Sequence, residues 1–173
     1  VGRPLARLDG SEKVLGTAAF ADDVSLPGEL VGRVLRSPLP HARITRIDLE
    51  AARKTPGVHA VLTGREIPDA LYGPIIKDRR ALALDKVRHV GDPVALVAAE
   101  DAETADIALA AIRVEYEELP VLLNPLEALE EKEHLVHEEI SEYEAPSIYK
   151  REGNICTVRI DELGSPDGAW EKA

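Results

Sequence analysis

The chain has 173 residues, 45% hydrophobic and 31% charged, with 3% aromatics and a net charge of −11, which describes a globular chain with room for one core, or for one domain and part of another. Apolar runs such as Val94 to Ala99 fall far short of the roughly 18 residues needed to cross a bilayer, and no basic stretch followed by an apolar one opens the sequence, so neither a membrane partner nor export is expected. With Cys156 as the single cysteine, no internal disulfide and no cysteine-rich zinc or iron–sulfur site can form within the chain, and a reducing, cytoplasmic setting is expected.

The opening, Val1 to Gly28, mixes Gly, Pro and charge with short apolar pieces and reads as an extended arm, closed by a turn at Leu26-Pro27-Gly28. Leu30 to Arg36 alternates well enough for a strand, which Ser37-Pro38-Leu39-Pro40 must end because Pro lacks a ladder donor. In Arg43 to Asp48, Ile44 and Ile47 stand off strict alternation, and Asp48 is positioned to cap a short helix over Leu49 to Lys54, stopped by Thr55-Pro56-Gly57. Val58 to Thr63 is a third strand, Gly64 to Pro68 a turn, and Tyr72-Gly73-Pro74 a loop.

Asp85 to Val90 alternates as a strand, and Gly91-Asp92-Pro93 turns it into Val94 to Ala99, apolar on both faces and therefore central in its sheet. A helix follows, capped by Asp101, with Ala105, Ala108, Leu109 and Ile112 on one buried face. Arg113 to Glu117 returns to period two. Asn124 followed by Pro125 starts another short helix. Residues 130 to 152 are acidic and poorly periodic, Ile155 to Ile160 offers one more strand, and Gly164 to Gly168 makes a turn. Strands and helices interleave without regular β-α-β alternation, which gives an α+β fold with a mixed sheet, one main helix and short helices. The division falls into a first domain over residues 1–130 and an acidic connector over 131–173.

Charge is divided unevenly. Residues 1–99 carry 15 Lys and Arg against 12 Asp and Glu, whereas residues 100–173 carry 6 against 20. An acidic, aromatic-poor chain of this kind excludes nucleic acid as a partner; its acidic back suits a basic protein surface, which keeps open a free-standing interaction adaptor. The absence of methionine and the opening Val1-Gly2-Arg3-Pro4 point to a segment of a longer protein.

Candidate chemistry is sparse. Glu115 and Glu117 are carboxylates on one face of a strand, opposite Val114 and Tyr116, and read as a solvated face rather than an acid–base pair. His134, His137 and Glu138 have a spacing that meets on a helix, the pattern of a zinc hydrolase, but no third ligand is visible and an acidic loop is the plainer reading. Cys156 reads as a small buried hydrophobe in a strand. His41 and Arg43 are a basic pair able to meet an anion or to serve a salt-bridged edge, while His59 and His89 read as packing or edge residues. No Gly-x-Gly-x-x-Gly or Walker cradle and no Gly-x-Ser-x-Gly elbow occurs. The residues themselves therefore nominate no catalytic, cofactor-binding or metal-ligating set.

The runs Arg36-Ser37-Pro38-Leu39-Pro40-His41-Ala42-Arg43-Ile44, Pro56-Gly57-Val58-His59-Ala60-Val61-Leu62-Thr63, Asp85-Lys86-Val87-Arg88-His89-Val90-Gly91-Asp92-Pro93-Val94-Ala95 and Val114-Glu115-Tyr116-Glu117-Glu118-Leu119-Pro120 occur in that order. Together with Arg7-Leu8-Asp9-Gly10 and Phe20-Ala21-Asp22-Asp23, they resemble the N-terminal α/β-hammerhead domain of the xanthine dehydrogenase and aldehyde oxidase large subunits, the molybdenum hydroxylases. Tyr72 to Asp78 with Leu82-Ala83 is most similar to the 4-hydroxybenzoyl-CoA reductase and bacterial xanthine dehydrogenase branch. The resemblance implies a scaffold and subunit-interface domain of an oxidoreductase, inactive as an isolated piece. It also implies a molybdopterin cofactor and a base glutamate elsewhere in the large subunit, iron–sulfur clusters and FAD on partner subunits or domains, and an oligomeric holoenzyme. The pterin-holding residues and the glutamate lie beyond the hammerhead in this family, and none maps onto this sequence. The resemblance implies that residues 131–173 hold the acidic connector and the incomplete start of the molybdenum-binding region; Gly164-Ser165 and Trp170 depart from the family pattern, and a frayed or partner-dependent tail is expected over 153–173.

Overall fold

A computed structural model describes residues 2, 4–146 and 151–158. Ten elements follow in order: α1 (Gly10–Leu15), β1 (Val31–Arg36), β2 (Ala42–Asp48), α2 (Glu50–Arg53), β3 (Val58–Thr63), β4 (Lys86–Val87), β5 (Pro93–Ala99), α3 (Ala102–Ala111), β6 (Arg113–Glu118) and α4 (Pro125–Glu130), with a 3₁₀ turn at Ala21–Asp23. The strands form two three-stranded sheets, ordered β1-β5-β3 and β4-β2-β6. Every pairing between them is antiparallel. The α+β class stands, but the single mixed sheet is replaced by two antiparallel ones, because each pair of neighbours runs head to tail.

β5 occupies the centre of the first sheet, as its two apolar faces require; Val97 lies opposite Arg33 on one side and Val61 on the other. α2 and α3 cover this sheet, and Leu49, Ala52, Val61, Val97, Ala105, Ala108 and Ile112 are buried between them. α3 starts where the sequence places it, with Asp101 Oδ1 accepting the Thr104 N–H at 2.7 Å. A smaller core of Ala42, Ile44, Ala83, Val87 and Val94 lies on the second sheet, and Ile47 and Val114 pack against both clusters.

The irregular spacing of Ile44 and Ile47 has a structural cause. Ile44 pairs with Tyr116 and Arg46 with Glu115, so the register shifts at Thr45 and the strand bulges there. The extra residue resets the alternation and turns both isoleucines inward. Asp48 does serve the short helix, its Oδ1 accepting the Glu50 N–H at 3.0 Å.

Three elements differ from the sequence reading. Asp85 to Val90 shortens to the two residues of β4, because the Arg88 N–H turns aside to Asp92 Oδ2 at 2.9 Å, closing the Gly91 turn early. The opening arm contains a helix, α1, held by the Asp9–Lys13 pair at 2.5 Å and ended by Gly16 at φ +71°. Ile155 belongs to no strand and makes a single bridge with Glu152. Residues 156–158 form no strand either, while the last two residues of the expected 155–160 strand, the Gly164–Gly168 turn, Trp170 and most of the expected frayed tail fall on 159–173, outside the described residues.

Candidate functional site

The residues nominated for chemistry are dispersed. Glu115 and Glu117 are exposed on β6 and face Arg46 and Arg43 of β2 at 3.8 Å each, the solvated strand face that alternation predicts. His41 donates its Nδ1–H to the Pro120 carbonyl at 2.6 Å, fastening the end of β6 to the start of β2. His59 reaches Glu100 at 3.2 Å on the far edge of the other sheet. His89 is exposed beside Asp92. Cys156 is exposed, contrary to the expectation of a buried strand position, because no strand forms around it to cover it.

His134 and His137 do not converge. His134 is exposed and faces Glu131 at 3.5 Å, whereas His137 is half-buried with Nδ1 2.9 Å from the Tyr143 hydroxyl. The segment is not helical here, so the i, i+3 spacing loses its meaning. Among the described residues no group of three or more His, Cys, Asp or Glu side chains is placed to hold a metal ion.

The structure does assemble a cluster that sequence reasoning missed. Residues 131–144 lie against the basic strip that runs through β4 and the loop before it. Lys86 Nζ, almost wholly buried, meets Glu138 at 2.5 Å. Arg88 donates Nε–H to the Val136 carbonyl at 3.0 Å and faces Glu139 at 3.5 Å. Lys77 bonds Glu144 twice, through Nζ at 2.8 Å and through its backbone N–H to the Glu144 carbonyl at 3.0 Å. Ile140 and Tyr143 are buried beneath these pairs. Beyond them, Arg151 donates to the carbonyls of Ile140 and Tyr143.

Electrostatics in the cluster follow from burial and pairing. Burial raises the Glu138 carboxyl and is the largest single influence, but the Lys86 hydrogen bond, a backbone hydrogen bond and the Lys86 and Arg88 charges together outweigh it and leave the group below its ordinary value. Glu139 is likewise raised by burial and pulled lower overall by backbone hydrogen bonding and the Arg88 charge. Burial pushes the Tyr143 phenol up to about 12. It pushes His137 down, with Arg88 adding to the effect. A cavity of about 430 Å³ opens beside this network, lined by Tyr72, Arg79, Arg80, Lys86, Arg88 and His137 among others. Its Lys and Arg side chains are already paired: Arg79 with Asp78 at 3.9 Å, Arg80 with Asp69 at 2.6 Å, Lys86 with Glu138 and Arg88 with Glu139. A second cavity, of about 410 Å³ between β2, α2 and β3, has balanced walls in which Arg53 and Thr63 converge on Glu66. Neither has the open donor set that would hold a pterin pyrophosphate, so the described residues do not fit that cofactor.

What decides the family is the pattern of the chain as a whole. Residues 15–120 match the family described as aldehyde oxidase and xanthine dehydrogenase, a/b hammerhead domain. The chain belongs to this family. The nicotinate dehydrogenase large molybdopterin subunit of Eubacterium barkeri is 43% identical over 173 residues, covering 99% of this chain and 38% of that protein. A probable xanthine dehydrogenase subunit of Bacillus subtilis is 44% identical over 134 residues, 77% of this chain and 18% of that protein. Among solved structures, quinoline 2-oxidoreductase from Pseudomonas putida superposes with a TM-score of 0.68 at 33% identity, over 75% of this chain and 18% of that one. The aldehyde oxidoreductase of Desulfovibrio desulfuricans gives 0.72 at 26% identity, over 86% and 17%. The hammerhead chain thus spans well under half the length of these relatives.

Proposed function

We propose that this hammerhead chain is the architectural part of the large subunit of a molybdenum-dependent oxidoreductase, a hydroxylase or reductive dehydroxylase of an aromatic, heterocyclic or aldehyde substrate. In this reading it serves as scaffold and subunit interface and turns over no substrate by itself. The observation that carries it is the match of almost the whole chain to little more than a third of a large molybdopterin subunit, joined to a fold that spends its ionisable side chains on holding its own segments together. The molybdopterin cofactor, which supplies the redox chemistry when bound, and the base belong to the remainder of the large subunit. Iron–sulfur clusters and FAD belong to partner subunits or domains of an oligomeric, cytoplasmic holoenzyme. The hammerhead ends near residue 130, and 131–173 lead toward the molybdenum-binding region.

This chain's own contribution is geometric. The clamp of Lys77, Lys86 and Arg88 on residues 136–144 fixes where the polypeptide leaves the hammerhead. The isolated chain is expected to purify without molybdenum and to show no turnover with an artificial electron acceptor across aldehyde and N-heterocycle substrates. Stoichiometric molybdenum by elemental analysis, or substrate-dependent dye reduction, would defeat the reading. The adaptor alternative is weakened by the same clamp, since Glu138, Glu139 and Glu144 engage this chain's own basic strip.

A further inference from the structure

The first thirty residues carry a surplus of apolar surface that the rest of the chain does not cover. Leu5, Leu8 and Val14 are 90%, 102% and 87% exposed, and Leu15, Phe20, Val24 and Leu26 are exposed as well. The polar groups of the same stretch are in the opposite condition. Among the described residues, the hydrogen bonds and ion pairs of residues 4–29 close within the stretch: Asp9 with Arg7 and Lys13, the Phe20 N–H with Asp23 at 2.8 Å, and the Leu26 N–H with Glu29 at 2.9 Å. The result is a segment whose backbone and charges are locally satisfied and whose large apolar side chains face outward. Large apolar side chains exposed this densely along one segment mark an interaction surface.

Two observations decide the occupant. The nicotinate dehydrogenase subunit matches 99% of the chain, while the chain covers 38% of that subunit, so a relative that carries the arm also has a larger body for the arm to meet. A second copy is disfavoured, because two chains of net charge −11 repel. We propose that residues 5–30 are a docking arm whose apolar side chains, Leu5, Leu8, Val14, Leu15, Phe20 and Leu26, seat on an apolar surface of the remainder of the same large subunit. This rests on the reading of the chain as part of such a subunit.

The test uses Cys156→Ser as background and single reporters Leu8→Cys and Phe20→Cys in the arm, with Ala110→Cys on the exposed face of α3 as a control for general accessibility. Maleimide labelling is timed in the 173-residue chain and in the large subunit that contains it, whose molybdenum content is measured alongside. Both arm thiols should react at least tenfold more slowly in the large subunit, while the rate at position 110 changes less than twofold. A molybdenum-loaded subunit whose arm thiols react as fast as in the short chain overturns the docking arm and leaves the functional reading intact. Lack of molybdenum in the large subunit overturns both. Slowing that grows with the concentration of the short chain alone assigns the arm to a second copy and overturns the proposed occupant.

Discussion

His137 shows how little a residue type says without its surroundings. In the sequence it is half of a metal-like pair with His134; in the fold it hydrogen-bonds to Tyr143 and lies with its ring edge-on to that phenol, the centroids 5.5 Å apart. Burial and the nearby Arg88 charge lower its affinity for a proton. A histidine with a depressed folded value is stabilising as the neutral ring, so its contribution is complete above the unfolded value of about 6.5 and is lost as pH falls through the folded value. The expected NMR titration places the His137 ring midpoint below 6.5. A midpoint at or above 6.5 would show that the ring is solvated and the 137–143 contact absent. Gly64 and Gly73 belong to the same scale. A Cβ on Gly64 would stand 2.8 Å from the Ala83 carbonyl, and one on Gly73 would overlap the Ile76 carbonyl, so both glycines permit backbone to pass over backbone. In the sequence Gly73 was legible only as a loop residue, and Gly64 only as the start of a turn. The close approach depends on a chain segment that is distant in sequence for Gly64, and no local pattern encodes it.

At the scale of elements, periodicity identified what local physics controls. α3 was legible because Asp101 and the Ala105, Ala108, Ile112 spacing act within four residues of one another, and β5 because it is apolar on both faces. β4 and residues 155–158 were misjudged because alternation shows which residues suit a strand without showing whether a partner is available. α1 was missed because the Asp9–Lys13 pair and Gly16 outweigh a composition that reads as an arm. The small side chains of α3 carry information that periodicity does not: Ala105 and Ala108 are fully buried, which lets the helix sit close to the sheet beside Val97 and Ala99. Enlarging one there forces the helix off the sheet. Ala108→Leu is expected to destabilise the fold by about 2 kcal/mol, whereas Ala110→Leu on the exposed face should stay within about 0.5 kcal/mol. Equal denaturation midpoints for the two variants would mean that the helix does not pack as described.

For the molecule as a whole, the division of charge between front and back was visible in the sequence, but its use was not. The acidic back offers an external basic partner as its natural counterpart, and the fold instead folds part of it onto the chain's own Lys77, Lys86 and Arg88. Each pair has a partly exposed carboxylate, so each contributes about 1 kcal/mol at most, and the cooperative effect comes from several pairs holding one short segment over Ile140 and Tyr143. Glu138 and Glu139 keep values below the ordinary carboxylate range. Their stabilisation is therefore complete above the unfolded value of about 4.3 and falls away as pH drops through the folded values. Amide protection at residues 136–144, taken relative to the intrinsic exchange rate at each pH, should fall on acidification below about pH 4 and with added salt at neutral pH, while α3, held by apolar burial, keeps its protection under the same salt. Glu138→Gln combined with Glu139→Gln should reproduce the acid effect at pH 7, raising exchange in that segment by roughly tenfold, the product of two pairs at somewhat under 1 kcal/mol each. Exchange in 136–144 that ignores salt, pH and both substitutions would mean that Ile140 and Tyr143 alone anchor the segment, and that its placement is set by packing and not by charge.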